Sequence, residues 1–164
     1  MTQTNRLMKL VNATSKLPQG IRSTLWSKAF GRVVPMVGTA NIRYLAVDAN
    51  HVVVRIENHR AMQNHIKGVH AAAMALLAET ATGFLTAMHV PDQRIVLIKS
   101  LHVDYLKLTQ GALTATASLT PEQQAFITEN EKGELIVPVR VVDESGQEPI
   151  QCQMLWAWLP KRQK

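Results

Sequence analysis

The sequence has 164 residues, a length that suits one domain with a sizeable hydrophobic core. Hydrophobic residues make up 46% and charged residues 18%, which excludes an intrinsically disordered chain. The net charge is +6, but the basic residues are scattered and aromatic residues are only 5%, so the composition disfavours a nucleic-acid partner.

Three further classes of protein are disfavoured by simple features of the chain. Its single cysteine, Cys152, cannot form an internal disulfide, which indicates a reducing compartment. The N-terminal residues lack the hydrophobic core and cleavage site of a signal peptide, and no uninterrupted apolar run approaches a membrane span. The six histidines lack zinc-site spacing. We therefore expect a cytoplasmic protein without metal, cofactor or membrane partner.

The first half of the chain predicts helices followed by a hairpin. Residues 4–30 have helical periodicity, which Pro18, Gln19 and Gly20 interrupt. The segments TANIRYLAV and HVVVRIE then alternate apolar with polar residues, as half-buried strands do. Between them, residues 48–50 (Asp-Ala-Asn) have the composition of a hairpin turn.

The second half predicts one long helix and then four strands. Residues 69–88 are apolar on almost every side, a pattern typical of a buried helix. The four strands are predicted in the segments IVLIKSLHVDYLKL, ALTATASL, ELIVPVRVVD and QCQMLWAWL. Pro138 cannot donate to a β-ladder, so it indicates an edge or a bulge in the third of these strands.

This order of elements predicts an α+β fold with a mostly antiparallel sheet. A single long helix wrapped by a curved antiparallel sheet is the hotdog architecture. We expect one hotdog domain over residues 1–164, with a helical extension at 1–32 and the hotdog core at 33–160.

Four residues before and inside the long helix resemble the signature of a known family. Asn64, Gly68, His70 and Glu79 have a spacing similar to that of the hotdog-fold acyl-CoA thioesterases around the phenylacetate-pathway and hydroxybenzoyl-CoA enzymes. The segment VDYLKLTQGALTATASL also resembles their strand pair. The resemblance covers residues 35–159 approximately. Where the family has His-Gly-Gly this chain has His-Ala-Ala, which is similar to an uncharacterised thioesterase-like branch.

The resemblance implies a site at the start of the long helix. There the N–H of Ala71 would bind the thioester carbonyl, with the side chain of Asn64 helping to hold it and His70 beside it. Unsatisfied N–H groups and a partial positive charge make a helix start suitable as an oxyanion hole. We further expect that Gly68 admits the substrate and that Val69, Lys99 and Ser100 contribute to substrate binding.

Glu79 would supply the carboxylate that activates water, but it lies far around the helix from His70. Nine residues correspond to about 900° of rotation, which leaves the two side chains near opposite faces. One helix cannot easily direct both at the same carbonyl. We therefore expect a homodimer, or a dimer of dimers, in which one chain contributes Ala71 and Asn64 and the other contributes Glu79.

Each of these residues also has a structural interpretation. Glu79 could be an exposed acid of a helix, and Asn64 could be a helix cap or a turn residue. For His70, anchoring of the loop is favoured over general-base catalysis.

The sequence accordingly leaves three classes of function open. The first is an acyl-CoA thioesterase that acts on an aliphatic acyl group. The second is a non-catalytic acyl-CoA or fatty-acid binding hotdog protein, since the glycines of the signature are missing. The third is an interaction module without a pocket.

Overall fold

The computed structural model describes residues 5–162, and helices precede the first strand as the sequence predicted. Their bounds are α1 (Arg6–Thr14), α2 (Gln19–Val33) and α3 (Pro35–Thr39). The hairpin follows as β1 (Arg43–Val47) and β2 (His51–Ile56). Its turn is stabilised by the carboxylate of Asp48, which accepts hydrogen bonds from the N–H groups of Asn50 (2.8 Å) and His51 (3.0 Å).

The long helix α4 (Ala71–His89) lies in the middle of the chain and begins two residues later than predicted. After it come β3 (Arg94–Tyr105), β4 (Leu113–Ser118), α5 (Pro121–Glu129), β5 (Gly133–Val137), β6 (Val139–Asp143) and β7 (Ile150–Pro160).

The strands are antiparallel throughout and form two sheets that Pro138 joins. One sheet has the order β1-β2-β4-β6 and the other the order β3-β7-β5. The segment predicted as one strand around Pro138 is divided there, because proline has no N–H to donate. Its first half, β5, pairs with β7 and its second half, β6, pairs with β4. The Pro138 carbonyl still accepts a hydrogen bond from the N–H of Ser118 (3.1 Å).

Both sheets wrap α4, which is the core of the molecule. By length and composition α4 could cross a membrane, but 61% of it is buried by the rest of the chain, as in the core helix of a globular protein. Gly83 permits close packing on one side: a Cβ atom there would lie 2.5 Å from a ring carbon of Trp156. The Trp156 indole N–H donates to the hydroxyl of Thr82 (2.8 Å), which fixes β7 against the helix.

The two edge strands of the sheets, β1 and β3, have different neighbours along their outer edges. Side chains of α2 bind backbone groups of β1: the Ser27 hydroxyl accepts from the N–H of Tyr44, and Arg22 donates to the carbonyl of Val47. By contrast β3 pairs only with β7, so the other edge of this 12-residue strand has no strand partner within residues 5–162. A long free edge is a site for pairing with another chain.

Two details differ from the sequence predictions. Helix α5 was not predicted; Thr120 and Gln123 form a capping box at its start, with Pro121 as its first residue. In β3, the register shifts between Ile98 and Ser100, so Lys99 is an extra residue in the strand. Such a bulge changes which face of the sheet the following side chains point to.

Candidate active site

The first turn of α4 is capped by His70 and exposes one backbone donor. The His70 Nδ1 atom accepts a hydrogen bond from the N–H of Ala72 (3.1 Å), and its carbonyl oxygen accepts from Ala73 and Met74. The N–H of Ala71 has no acceptor among residues 5–162. His70 thus caps the first turn of α4, and the N–H of Ala71 is a free donor at the helix start.

Asn64 organises the loop before the helix. Its Oδ1 atom accepts hydrogen bonds from the N–H groups of Ile66 and Gly68, both over 3.1 Å. Its backbone N–H donates to the Gly68 carbonyl, and its own carbonyl accepts from Lys67. With Oδ1 occupied in this way, the Nδ2 group of Asn64 has no acceptor among the described residues and remains available as a donor.

Gly68 and Val69 connect this loop to the segment after β3. A Cβ atom on Gly68 would lie 2.8 Å from the hydroxyl oxygen of Thr109, and that oxygen accepts a hydrogen bond from the N–H of Val69 (3.1 Å). The close approach of Thr109 therefore accounts for glycine at position 68. The side chain of Val69 is fully buried, so it supports the loop from the core side.

Glu79 is half-buried in the middle of α4 and faces a cavity of about 180 Å³. No hydrogen-bond or ion-pair partner of its carboxylate lies within residues 5–162. Burial raises the pKa of Glu79 above its ordinary value, because the charged form loses hydration. The remaining lining is largely apolar and includes Leu7, Phe30, Val34, Val37, Phe84 and Trp156.

Two hydroxyl groups also line the cavity of Glu79. The side-chain oxygen of Thr80 is buried and has no hydrogen-bond partner among the described residues. Tyr44 is almost completely buried, and its pKa is raised first by burial and then by the negative charge of Glu79. Sequence reasoning missed both residues, because Tyr44 reaches the helix only through the fold of β1.

Within one chain the helix start and Glu79 are separate. Glu79 is eight positions after Ala71 along the helix, which corresponds to about 12 Å. His70 lines a different cavity of about 220 Å³ together with Met62, Gln63 and Ala73, and none of its lining residues reaches the cavity of Glu79. A site that uses both groups therefore requires a second chain.

The predicted substrate residues on β3 lie away from the helix start of their own chain. Lys99 and Ser100 are exposed, and the Lys99 ammonium pairs with the carboxylate of Glu134 on β5. From them β3 runs five or six residues, roughly 17–20 Å, to Tyr105. There the Tyr105 hydroxyl donates to the carbonyl of Ala71 (3.0 Å), a contact that the sequence did not predict.

Potential metal ligands are dispersed in the part of the chain that the structure describes. No three His, Cys, Asp or Glu side chains within residues 5–162 come together as a group that could hold a metal ion.

A long helix wrapped by antiparallel strands is the hotdog architecture that the sequence predicted. A family model described as a domain of unknown function, DUF4442, matches residues 22–159, and the chain belongs to that family. A comparison with curated proteins gives no significant match.

Solved structures with the same fold include several thioesterases. A protein of unknown function from Pseudomonas aeruginosa, described as a probable thioesterase, has a TM-score of 0.73 at 19% identity, over 88% of this chain and 97% of that chain. A thioesterase from Haemophilus influenzae has a TM-score of 0.64 at 12% identity, over 98% and 96%. These likenesses confirm the predicted hotdog fold and the resemblance to the hotdog-fold thioesterase family.

A third similar protein has been solved as two substituted variants. A thioesterase from Staphylococcus aureus has a TM-score of 0.67 at 16% identity, over 77% of this chain and 100% of that chain. One structure of that protein carries a glutamine-to-alanine substitution, and another carries a glutamate-to-alanine substitution fifteen positions further on.

Proposed function

We propose that this protein is an acyl-CoA thioesterase that hydrolyses the thioester at a site shared by two chains. The observation that carries the proposal is the pair of unpartnered groups on α4, the N–H of Ala71 and the carboxylate of Glu79. Thioester hydrolysis needs a hydrogen-bond donor for the developing oxyanion and a base for the attacking water. The two groups have these properties.

The carbonyl oxygen of the substrate binds at the start of α4. The Ala71 N–H donates to it, strengthened by the positive end of the helix dipole. Asn64 Nδ2 is the second donor, since the loop holds Oδ1 and leaves the amino group free. His70 caps the helix and keeps this turn in position.

Glu79 of the partner chain removes a proton from water as the water oxygen attacks the thioester carbon. The resulting oxyanion collapses, the carbon–sulfur bond breaks, and the thiolate leaves and takes up a proton. The raised pKa of Glu79 makes its carboxylate a stronger base than an exposed one. The half-buried position of Glu79 on α4 allows a neighbouring chain to cover it.

The free edge of β3 supports the dimer. This strand exposes four apolar side chains to water, which is energetically unfavourable: Ile95, Leu97, Ile98 and Leu101. The backbone groups of its free edge can pair with the same strand of a second copy. An isologous C2 contact is the commonest way for such an edge to be used. In this arrangement Lys99 and Ser100 lie beside the contact, where we propose that they contact the nucleotide part of the substrate.

The acyl group is proposed to be aliphatic. The cavity next to Glu79 is mainly apolar, and the methyl group of Ala71 narrows the space beside the carbonyl compared with glycine. A flexible chain passes such a methyl group more easily than a ring attached directly to the carbonyl carbon.

A second candidate is an acyl-CoA or fatty-acid binding protein without turnover. It is favoured by the His70-Ala71-Ala72 sequence, which lacks the two glycines of the thioesterase signature. This candidate uses the same cavity but needs no base.

A panel of acyl-CoAs, assayed by release of the free thiol, separates the two candidates. The thioesterase predicts turnover of at least one aliphatic thioester, and Glu79→Gln should lower it by about 10² or more while the fold is kept. Glu129→Gln, a change of an exposed carboxylate on α5, is the matched control and should leave turnover within about twofold. Binding of acyl-CoA without turnover in the wild type would favour the second candidate.

A further inference from the structure

The helices before the first strand hold all of the excess positive charge of the protein. Residues 1–47 contain seven Lys and Arg residues and no Asp or Glu, whereas the rest of the chain has eleven basic and twelve acidic residues. Two of the seven, Arg6 and Arg43, form ion pairs with Asp92 and Glu57. Four are exposed and have no acidic partner within residues 5–162: Lys9, Lys16, Lys28 and Arg32.

Exposed apolar side chains lie among these charges. On α2, Ile21, Leu25, Lys28 and Arg32 recur at helical spacing and share one side of the helix, here called the outer face of α2. Ile21 is 57% exposed and Leu25 is 44% exposed. Leu10 on α1 is 56% exposed. Helices that bind at an anionic lipid interface combine aliphatic side chains with unpaired lysine and arginine, as the outer face of α2 does.

The opposite side of the same helices belongs to the core. Trp26 and Phe30 of α2 pack against Phe84 of α4, with ring centroids 6.1 and 4.3 Å apart. The outer face of α2 therefore cannot turn inward to bury Ile21 and Leu25 without losing these contacts. Its apolar side chains need an external surface if they are to leave water.

The outer face of α2 also lies far from the free edge that a second copy would use. Helix α2 packs on β1 and blocks the edge of that strand, whereas β3 forms the other end of the strand order. A dimer built through β3 leaves α2 open to solvent.

In contrast to the expectation from the sequence, we propose that the outer face of α2 docks the protein on an anionic lipid bilayer. The basic side chains interact with lipid phosphates and carboxylates: Lys28 and Arg32 on α2, and Lys9 and Lys16, which lie earlier in the chain. Ile21 and Leu25 enter the boundary between head groups and acyl chains. Charge and apolar contact act together at a bilayer, whereas a nucleic acid would need the charges alone.

Vesicle co-sedimentation of the full chain, without any thioester, tests the docking independently of hydrolysis. Phosphatidylcholine vesicles with 30% phosphatidylglycerol are compared with pure phosphatidylcholine at low and at high salt. We expect binding to the anionic vesicles only, weakened by salt. Lys28→Glu with Arg32→Glu should lower the partition coefficient roughly 30-fold or more, since each basic residue near the surface contributes about a factor of five.

The apolar part of the surface and the controls are tested on the same vesicles. Ile21→Ser with Leu25→Ser should lower the partition coefficient by about 10-fold, because two aliphatic side chains no longer enter the bilayer. Lys107→Glu with Lys132→Glu makes the same change in net charge at exposed positions elsewhere and should have less than about a threefold effect. Thermal melting of each variant checks that it is folded.

Three results would overturn the proposal. An equal loss in the Lys107 and Lys132 variant would mean that net charge alone governs adsorption. Full binding by the Ile21 and Leu25 variant would indicate a purely ionic contact with a polyanion. Equal binding to neutral vesicles would indicate unspecific hydrophobic adsorption.

Discussion

The hydroxyl of Tyr105 donates a 3.0 Å hydrogen bond to the carbonyl oxygen of Ala71, which ties the last residue of β3 to the first residue of α4. The free edge strand and the proposed oxyanion donor are thereby connected by one side chain. If β3 pairs with a second copy, the position of the helix start depends on the same strand that assembles the dimer.

Tyr105→Phe should therefore lower turnover by about 3- to 10-fold with only a small change in stability. The lost bond is neutral and partly exposed, so it should cost about 0.5–1.5 kcal/mol of folding free energy. The turnover number, the KM and the melting temperature are measured on one preparation. A lower melting temperature with unchanged turnover would assign Tyr105 to the scaffold alone.

Asn64→Asp separates the two functions of the Asn64 side chain. The aspartate keeps an oxygen for the N–H groups of Ile66 and Gly68, but it has no amino group to donate to a carbonyl. We expect a melting temperature near that of the wild type and turnover lower by about 10-fold or more. Asn64→Ala removes both functions and should lose about 1 kcal/mol of stability as well. Normal turnover in the aspartate variant would mean that Asn64 only stabilises the turn and does not bind the carbonyl.

The long helix, the hairpin at residues 48–50 and the layout of the strands could be predicted because their signals are local. Apolar periodicity identifies α4, and Asp48 and Asn50 are typical turn residues. The start of α5 also has a local signal, the capping-box sequence Thr120-Pro121-Glu122-Gln123. The absence of acidic residues before Asp48 was visible in the sequence but became informative only once α2 was known to be exposed.

The rest depends on long-range contacts that no local pattern encodes. The Tyr105 bond to Ala71, the approach of Thr109 to Gly68 and the position of Tyr44 near Glu79 join segments 34 to 41 residues apart. The bulge at Lys99 depends on the register with β7. The sequence spacing predicted Glu79 as a site residue, but only the packing of α4 shows that its carboxylate has no partner among the described residues.

The pKa of Glu79 predicts opposite pH effects on activity and on stability. Turnover should rise with pH across the raised pKa, because only the carboxylate can accept a proton from water. The free energy of unfolding, by contrast, should fall as the pH rises. Since the folded chain holds this proton to higher pH than the unfolded chain, ionisation above the ordinary pKa of 4.5 weakens the fold until the raised pKa is passed.

Glu79→Gln isolates this contribution in melting experiments from pH 4 to pH 8. The melting temperature of the glutamine variant should exceed that of the wild type by a growing margin as the pH rises through that window. Below pH 4.5 the difference between the two melting temperatures should be smallest. A difference that stays constant with pH would mean that Glu79 has the same pKa in the folded and unfolded chains.

A mixture of two variants with lowered turnover tests whether the site is shared. In a C2 dimer of Asn64→Ala and Glu79→Gln chains, one of the two sites keeps both wild-type groups. Random exchange of equal amounts makes half of the dimers mixed, so turnover should recover to about a quarter of the wild-type value. Activity no greater than the average of the two parents would place the complete site within one chain, and a stable monomer in sedimentation would do the same.

The last prediction concerns Ala71, where the chain departs from the glycine of the family signature. If the N–H of Ala71 binds the carbonyl, its methyl group lies beside the acyl group and disfavours a ring attached to that carbonyl. Ala71→Gly should therefore raise the catalytic efficiency for a benzoyl thioester relative to an octanoyl thioester. One methyl group of steric discrimination is worth about 1–3 kcal/mol, so the ratio should shift by roughly 10- to 200-fold at most.

The matched control for this change is Ala72→Gly, one residue further along the same helix turn. It removes a methyl group and adds the same backbone freedom, a helix-propensity cost of about 1 kcal/mol, at a position whose N–H already donates to His70. The control should leave the ratio of the two efficiencies unchanged. A shift of equal size in both variants would assign the effect to loosening of the first turn, and an unchanged ratio in Ala71→Gly would mean that the methyl group does not contact the acyl chain.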